Sequence, residues 1–427
     1  MSRAANRAVA VSGRYRVTTA CAVATCALAP AYVVRWHLGP LPTTVLEDAV
    51  LITIAAFIAE SFRDHARPLW RTEVVVPAAL IFLVAGAISV GVAPDRRAAL
   101  GLYRAYLIEP MAFGLVLINA VSTPRRALAI AGGLALGGAV AGLANSAVVV
   151  AALVHHTYDV VNTPPVVIYN TANAVALYLV PLMAFAGAVV LHRQDRRERL
   201  VAGAFLVVGG ICVLLSFSRG GYLALAAVAV GLAMSHPRRW LLLAGGVVVA
   251  GALLVIPPIA HRVATEVNLN DPHNTLVGRT HLWSAALQML RAHPIFGAGL
   301  SGFATAVAPY WNANHPDRFT YPHNIVLNFW TETGLLGLAA FAWIVIAAFI
   351  RTWRGWRYGT PEWRPIHLGV MLALVAIVVH GLVDVPYWKN DLSLEFWALL
   401  SLTFAPAALT LRSRSAPKPA PARGAPP

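Results

Sequence analysis

Long apolar runs alternate with short polar stretches along nearly the whole chain. They fall near 17–36, 43–62, 74–93, 99–121, 127–154, 165–191, 200–217, 220–235, 240–260, 328–350, 366–386 and 392–411. About 20 apolar residues cross the hydrocarbon core of a bilayer as a helix. Most of the runs approach or exceed that length, so the pattern predicts an all-α polytopic membrane protein with about twelve transmembrane helices. One connection breaks the rhythm: residues 261–327 join the ninth and tenth runs, whereas the other connections on that side are short. Long structured loops are usually functional. Within this one, residues 280–292 predict an amphipathic helix with Leu282, Ala286, Met289 and Leu290 on one face. Thr280 is its expected cap, and Pro294 and Gly297 its stop. The expected organisation is helices 1–9 over 1–260, an extracytoplasmic loop over 261–327, helices 10–12 over 328–411, and a Pro/Ala-rich disordered cytoplasmic tail over 412–427.

Composition agrees with insertion in a bilayer. Of the 427 residues 58% are hydrophobic and 12% charged, and the mean hydropathy is +0.66. Soluble domains carry about 25% charged residues, so these charges are too few to cover a water-facing surface. The formal net charge is +15, and Lys389 and Lys418 are the only lysines. A basic balance can signal nucleic acid, but here the charge sits in short loops and orients the protein, so no nucleic-acid partner is expected. With the N-terminus cytoplasmic, every second connection is cytoplasmic, and together with the two tails these hold 23 of the 33 basic residues. That alternation supports an even number of spans and places both termini in the cytoplasm. Arg3, Arg7, Arg14 and Arg16 followed by an apolar run and Ala27-Leu28-Ala29 imitate a signal peptide. Pro30 argues against cleavage there, so the run is read as a retained first span. Cys21, Cys26 and Cys212 lie in apolar segments and support neither a disulfide framework nor a metal cluster.

The basic residues outside the cytoplasmic loops carry the chemical information: Arg35, Arg96, Arg97, Arg104, Arg219, Arg262, Arg279, Arg291, Arg318 and Lys389. Arg219 stands in Ser216-Phe217-Ser218-Arg219-Gly220-Gly221, which joins two spans with almost no loop, beside two glycines that allow close backbone approach. An arginine at membrane depth is costly and marks a functional site by default, and its planar fork suits a phosphate or diphosphate. A snorkelling arginine at a tight turn is the plainer alternative. Arg279 follows Gly278 near the start of the loop helix, where it adds to an anion-binding field or pairs with Glu266 or Asp271. His323, in Tyr321-Pro322-His323-Asn324, lies where the long loop re-enters the membrane and is a candidate base; position alone does not separate it from His273, His281, His293 or His315. Asp384, in the stretch from His380 to Trp388, could orient a histidine, pair an arginine or cap a turn. Arg104 and Glu109 lie inside the fourth run and are expected to pair with each other or with other spans. Gly297-Ala298-Gly299-Leu300-Ser301-Gly302 has dinucleotide-loop spacing but lacks a preceding strand, so it reads as a flexible turn.

In combination these residues resemble a known family. Ser218-Arg219-Gly220-Gly221, Gly278-Arg279-Thr280-His281-Leu282-Trp283, His293-Pro294-Ile295-Phe296-Gly297-Ala298-Gly299, Pro322-His323-Asn324 and Glu332-Thr333-Gly334-Leu335-Leu336-Gly337 occur in the order and spacing of the O-antigen ligase/polymerase superfamily. The specific part of the resemblance covers about residues 200–390. It implies a GT-C-like helical fold in the bacterial inner membrane. It also implies transfer of a glycan from a polyprenyl diphosphate, typically undecaprenyl diphosphate, on the outer face. The acceptor would be a hydroxyl of lipid A core (ligase), of another glycan (polymerase) or of a protein (O-oligosaccharyltransferase). The reaction implied is inverting and metal-independent, with no cofactor. Arg219 and Arg279 would bind the diphosphate, and His323 and Asp384 would be the catalytic pair. A transporter of the lipid-linked precursor is the non-enzymatic alternative, although transporters tend to place their sites at mid-membrane.

Overall fold

A computed structural model describes residues 14–39, 41–64, 75–159, 166–169, 171, 173–255, 260–261, 264–265, 268, 274–311 and 319–404. Each apolar run carries a helix. The helices are α1 (Arg16–Ala27), α2 (Val45–Arg63), α3 (Val75–Val92), α4 (Arg96–Ala120), α5 (Pro124–Val154), α6 (Asn173–His192), α7 (Arg196–Leu215), α8 (Arg219–Met234) and α9 (Arg239–Leu253). The loop helix α10 (Thr275–Ala292) is followed by α11 (Ile325–Tyr358), α12 (Arg364–Gly381) and α13 (Asn390–Ser401). Seven of them (α3 to α7, α11 and α12) are long and apolar enough to cross a bilayer, and α8 and α9 are shorter apolar helices. The protein is thus an all-α polytopic membrane protein. Its backbone polar groups must be satisfied within each helix, because lipid offers them no partner.

The first run is shorter as a helix than its hydrophobicity suggests. α1 ends at Ala27, and Pro30 opens a tight 3-10 turn over Ala29–Val33, because proline lacks the N–H that an α-helix would need. The chain then forms a small antiparallel hairpin, β1 (Arg35–Leu38) with β2 (Leu41–Thr44), Arg35 opposite Thr44. Thr44 closes the hairpin and caps α2 in a reciprocal box with Glu47.

α6 is the most enclosed of the long helices and packs against α12, α7 and α8. Contacts between connections sort the bundle into two ends. At one end Arg193 donates to Glu362 O at 3.0 Å, the His192 ring meets Ser235 Oγ at 2.9 Å, and the Arg351 guanidinium donates to Thr403 O at 3.1 Å. These belong to connections that sequence charge assigns to the cytoplasm. At the other end Asn390 donates to Glu47 at 2.9 Å, Arg104 to Pro42 O at 2.9 Å, and Asn324 to Leu382 O at 3.0 Å. Arg104 also bridges Glu47 at 2.7 Å and Glu109 at 3.3 Å. Both pairings expected for it occur, and the one with Glu47 ties α4 to α2.

Candidate functional site

Ser218 caps α8, its hydroxyl accepting from Gly221 N at 3.2 Å. Arg219 is therefore the first residue of α8, reached through Phe217 in the left-handed region at φ 49°. Gly220 has no room for a side chain: an added Cβ would stand 2.7 Å from His380 Cδ2 and 2.8 Å from His380 Nε2. The glycine beside Arg219 thus lies directly on the end of α12, as the expected close approach requires. His380 is buried, and Asp384 follows one turn later.

The loop helix begins earlier than its sequence suggests. Asn274, not Thr280, is the cap, accepting from Leu276 N at 2.9 Å and Val277 N at 3.2 Å. Gly278 weakens helix propensity without breaking it, and Leu276 and Val277 extend the helix toward Asn274. Thr280 instead donates to Val277 O at 2.7 Å from inside the helix. Arg279 is half-buried in the second turn. One turn on, the Trp283 indole donates to Pro322 O at 2.9 Å and ties α10 to the residue before His323. Of the acids weighed as partners for Arg279, Glu266 and Asp271 lie outside the described residues, as do His273, His315 and the tail 412–427.

His323 is held at φ 48° between Pro322 and Asn324. Asn324 caps α11, accepting from Val326 N at 3.0 Å and Leu327 N at 3.1 Å. A non-glycine residue in the left-handed region is uncommon and is retained where the surroundings over-determine it. His323 Nδ1 lies 3.2 Å from Asp384 Oδ1. The imidazole is 15% exposed and the carboxylate 3%, so the ring is reachable and its partner is not. Asp384 also accepts from Val385 N at 3.0 Å and from Asn173 Nδ2 at 3.3 Å. Burial by itself would raise the Asp384 pKa. The His323 hydrogen bond and charge, with smaller effects from His380 and Arg279, bring it down to about 2. An ionised carboxylate only accepts, so Nδ1 carries a proton, and in the neutral ring Nε2 holds the lone pair.

The same arrangement brings the four sequence-predicted residues onto one end of the bundle. His323 and Asp384 touch; Gly220, next to Arg219, lies on His380, one turn before Asp384; and the Arg279 charge is felt at Asp384 and Tyr321. Asn173 had no signal, because only the fold carries it to Asp384. Lys389 is a further cation: its ammonium lies 5.4 Å from the centre of the Tyr169 ring. Burial lowers its pKa, against the opposing charges of Asp391 and Asp384. The glycine-rich run after Pro294 is a turn, but an anchored one. Ala298 N donates to Thr331 O at 2.7 Å and Ser301 N to Glu332 Oε2 at 2.6 Å. Among the described residues no group of three His, Cys, Asp or Glu side chains converges as a metal-ligand set.

A polytopic helical protein with a carboxylate-held histidine and arginines at one end of its bundle defines a class before it defines a family. Residues 202–342 match the family model described as O-antigen ligase. Over 180 residues the chain is 28% identical to the exopolysaccharide production protein ExoQ of Rhizobium meliloti (strain 1021). That match spans 39% of this chain and 41% of the relative. The two matches bear out the resemblance to the O-antigen ligase/polymerase superfamily. The family match includes Arg219, Arg279 and His323 and stops short of Asp384.

Proposed function

We propose that the protein transfers a glycan from a polyprenyl diphosphate carrier, of the undecaprenyl type, to an acceptor hydroxyl on the outer face of the inner membrane. The observation that carries this reading is the 3.2 Å contact between His323 Nδ1 and Asp384 Oδ1: an ionised Asp384 holds the neutral ring with its Nδ1–H toward the carboxylate and leaves Nε2 to take a proton. The acceptor oxygen attacks the anomeric carbon and its proton passes to Nε2. The bond from that carbon to the diphosphate oxygen breaks, and its electron pair leaves with the diphosphate. Charge grows on the leaving group, and Arg219 and Arg279 supply fixed positive charge to meet it in a low-dielectric site. In this reading the chain makes twelve crossings in a GT-C-like arrangement, with both termini cytoplasmic and residues 261–327 outside. The lipid tail enters between helices from the bilayer.

The name of the relative, an exopolysaccharide production protein, favours a polymerase over a ligase. The acceptor hydroxyl would then belong to another glycan rather than to lipid A core or a protein. The test supplies the purified protein in liposomes with a polyprenyl-diphosphate glycan and each acceptor separately, and measures released carrier diphosphate and the new conjugate. His323→Ala is expected to insert normally and to lose about 10²–10⁴-fold in transfer rate. Transfer by His323→Ala at the wild-type rate would sink the base assignment.

A further inference from the structure

A groove of about 420 Å³ opens between α5, α6 and α7, at the end of the bundle opposite His323. Its floor is α6, where Leu182, Phe185 and Val189 are buried. Gly132 on α5 is exposed, and a Cβ there would meet nothing within 4 Å. The lining runs along α5 from Arg125 to Ala135. Ten residues of helix rise about 15 Å, and one leaflet of a hydrocarbon core about 30 Å thick is also about 15 Å deep. The groove therefore has the depth of one layer of acyl chains.

Its mouth is charged. Arg125, Arg197 and Glu198 line it. The Glu198 carboxylate is taken by the Arg193 guanidinium at 2.5 and 2.9 Å. Arg125 and Arg197 are both exposed, each within the first two residues of its helix, α5 and α7. Asp195 caps α7, accepting from Arg197 N at 2.8 Å and Glu198 N at 3.2 Å, so the positive character of the mouth rests on the two guanidinium groups and the start of α5. An apolar slot one leaflet deep with a cationic mouth matches a lipid whose head is anionic; basic pockets between spans on this side of a membrane have that chemistry.

We propose that the groove binds an anionic phospholipid, its acyl chains against Phe185 and Gly132 and its phosphate at Arg125 and Arg197. Native mass spectrometry of the purified full-length protein tests this, with phosphatidylglycerol or phosphatidylcholine of identical chains added to detergent micelles. Wild type is expected to retain phosphatidylglycerol at least tenfold more tightly. The Arg125→Gln/Arg197→Gln protein should lose that preference, and Gly132→Leu, which fills the slot, should weaken both lipids. Thermal melts with each lipid give a second reading: phosphatidylglycerol raises Tm in wild type and not in the double variant. Equal binding of the two lipids by wild type, or an undiminished preference in the double variant, overturns the proposal. So does full displacement by a C55 polyprenyl phosphate that is indifferent to the arginine changes, since that outcome assigns the slot to an uncharged chain end.

Discussion

Replacing Gly220 by alanine places a methyl group where His380 already stands. The new Cβ lies 2.7 Å from Cδ2 and 2.8 Å from Nε2 of the imidazole, and 3.0 Å from Val383 Cγ2. Carbon atoms in ordinary contact are about 3.5–4.0 Å apart, so the ring must retreat by roughly 0.8 Å. His380 is 3% exposed, and its neighbours must yield for it to move. Overpacking of this kind costs about 1–3 kcal/mol. The shift has a short route to the chemistry: Val383 N donates to His380 O at 3.1 Å, and Asp384 is the next residue. The His323–Asp384 contact is 3.2 Å, near the long end of the hydrogen-bond range. A displacement of similar size breaks it and releases the imidazole from its tautomer.

The expected result is a Gly220→Ala protein that inserts, melts a few degrees lower and transfers glycan about 10²-fold more slowly, as misplacement of about 1 Å can cause. Carrier diphosphate released in liposomes measures the rate, and detergent-phase melting measures stability. Gly203→Ala on α7 is the control, since a Cβ there meets nothing within 4 Å; both quantities should stay at wild-type values. A Gly220→Ala protein with wild-type rate and wild-type Tm would refute the coupling between α8, His380 and the Asp384 turn.

Asp384→Asn should slow transfer by about 10²-fold or more, because the amide no longer enforces the Nδ1–H tautomer. The folded pKa of Asp384 is depressed from 3.8 to about 2. Its contribution, about 2 kcal/mol, is present above pH 4 and is lost as pH falls through 2; the melting gap between wild type and Asp384→Asn should close over that window, and a gap independent of pH counts against an ionised Asp384 carboxylate held by hydrogen bonds. Arg104→Ala leaves Glu47 and Glu109, 5% and 8% exposed, without their cation. It should cost about 3 kcal/mol of stability while leaving the donor KM of the surviving protein unchanged; an unaltered Tm would remove the structural role.

The apolar runs made the helices legible, since a spanning segment must satisfy its backbone internally whatever its neighbours are. Local chemistry was legible too: the glycines beside Arg219 and the break after Ala292 are read within a few residues. What sequence could not supply was pairing at a distance. Glu47 meets Arg104 across 57 positions, and Asn173 meets Asp384 across 211. The start of α10 was misplaced because a glycine near the end of a helix looks like its boundary, whereas Asn274 four residues earlier closes the first turn. The hairpin after α1 was hidden for a different reason: Val33 and Val34 extend an apolar run that Pro30 has already ended as a helix.

Positive charges at helix starts carry the last step. The N-terminal end of a helix favours anions, and a cation there costs about 0.3–1 kcal/mol. Arg125, Arg197 and Arg239 depart from this rule, but they lie at the end that the sequence charge assigns to the cytoplasm, where arginine is expected to collect. Arg219 and Lys389 stand at the starts of α8 and α13, at the other end, where, in the proposed orientation, that cause does not operate. A reason for keeping them is an anion that arrives from outside, and a diphosphate is one whose charge rises during the proposed reaction. Arg219→Gln should therefore raise the donor KM and lower kcat together, by about 10–100-fold if a charge-assisted bond of 1.5–3 kcal/mol is lost. Arg219→Lys should recover part of this, because it restores the charge without the planar fork. Steady-state transfer with varied donor distinguishes the cases. A glutamine variant with unchanged donor KM and kcat would mean that the charge at this helix start serves the fold alone.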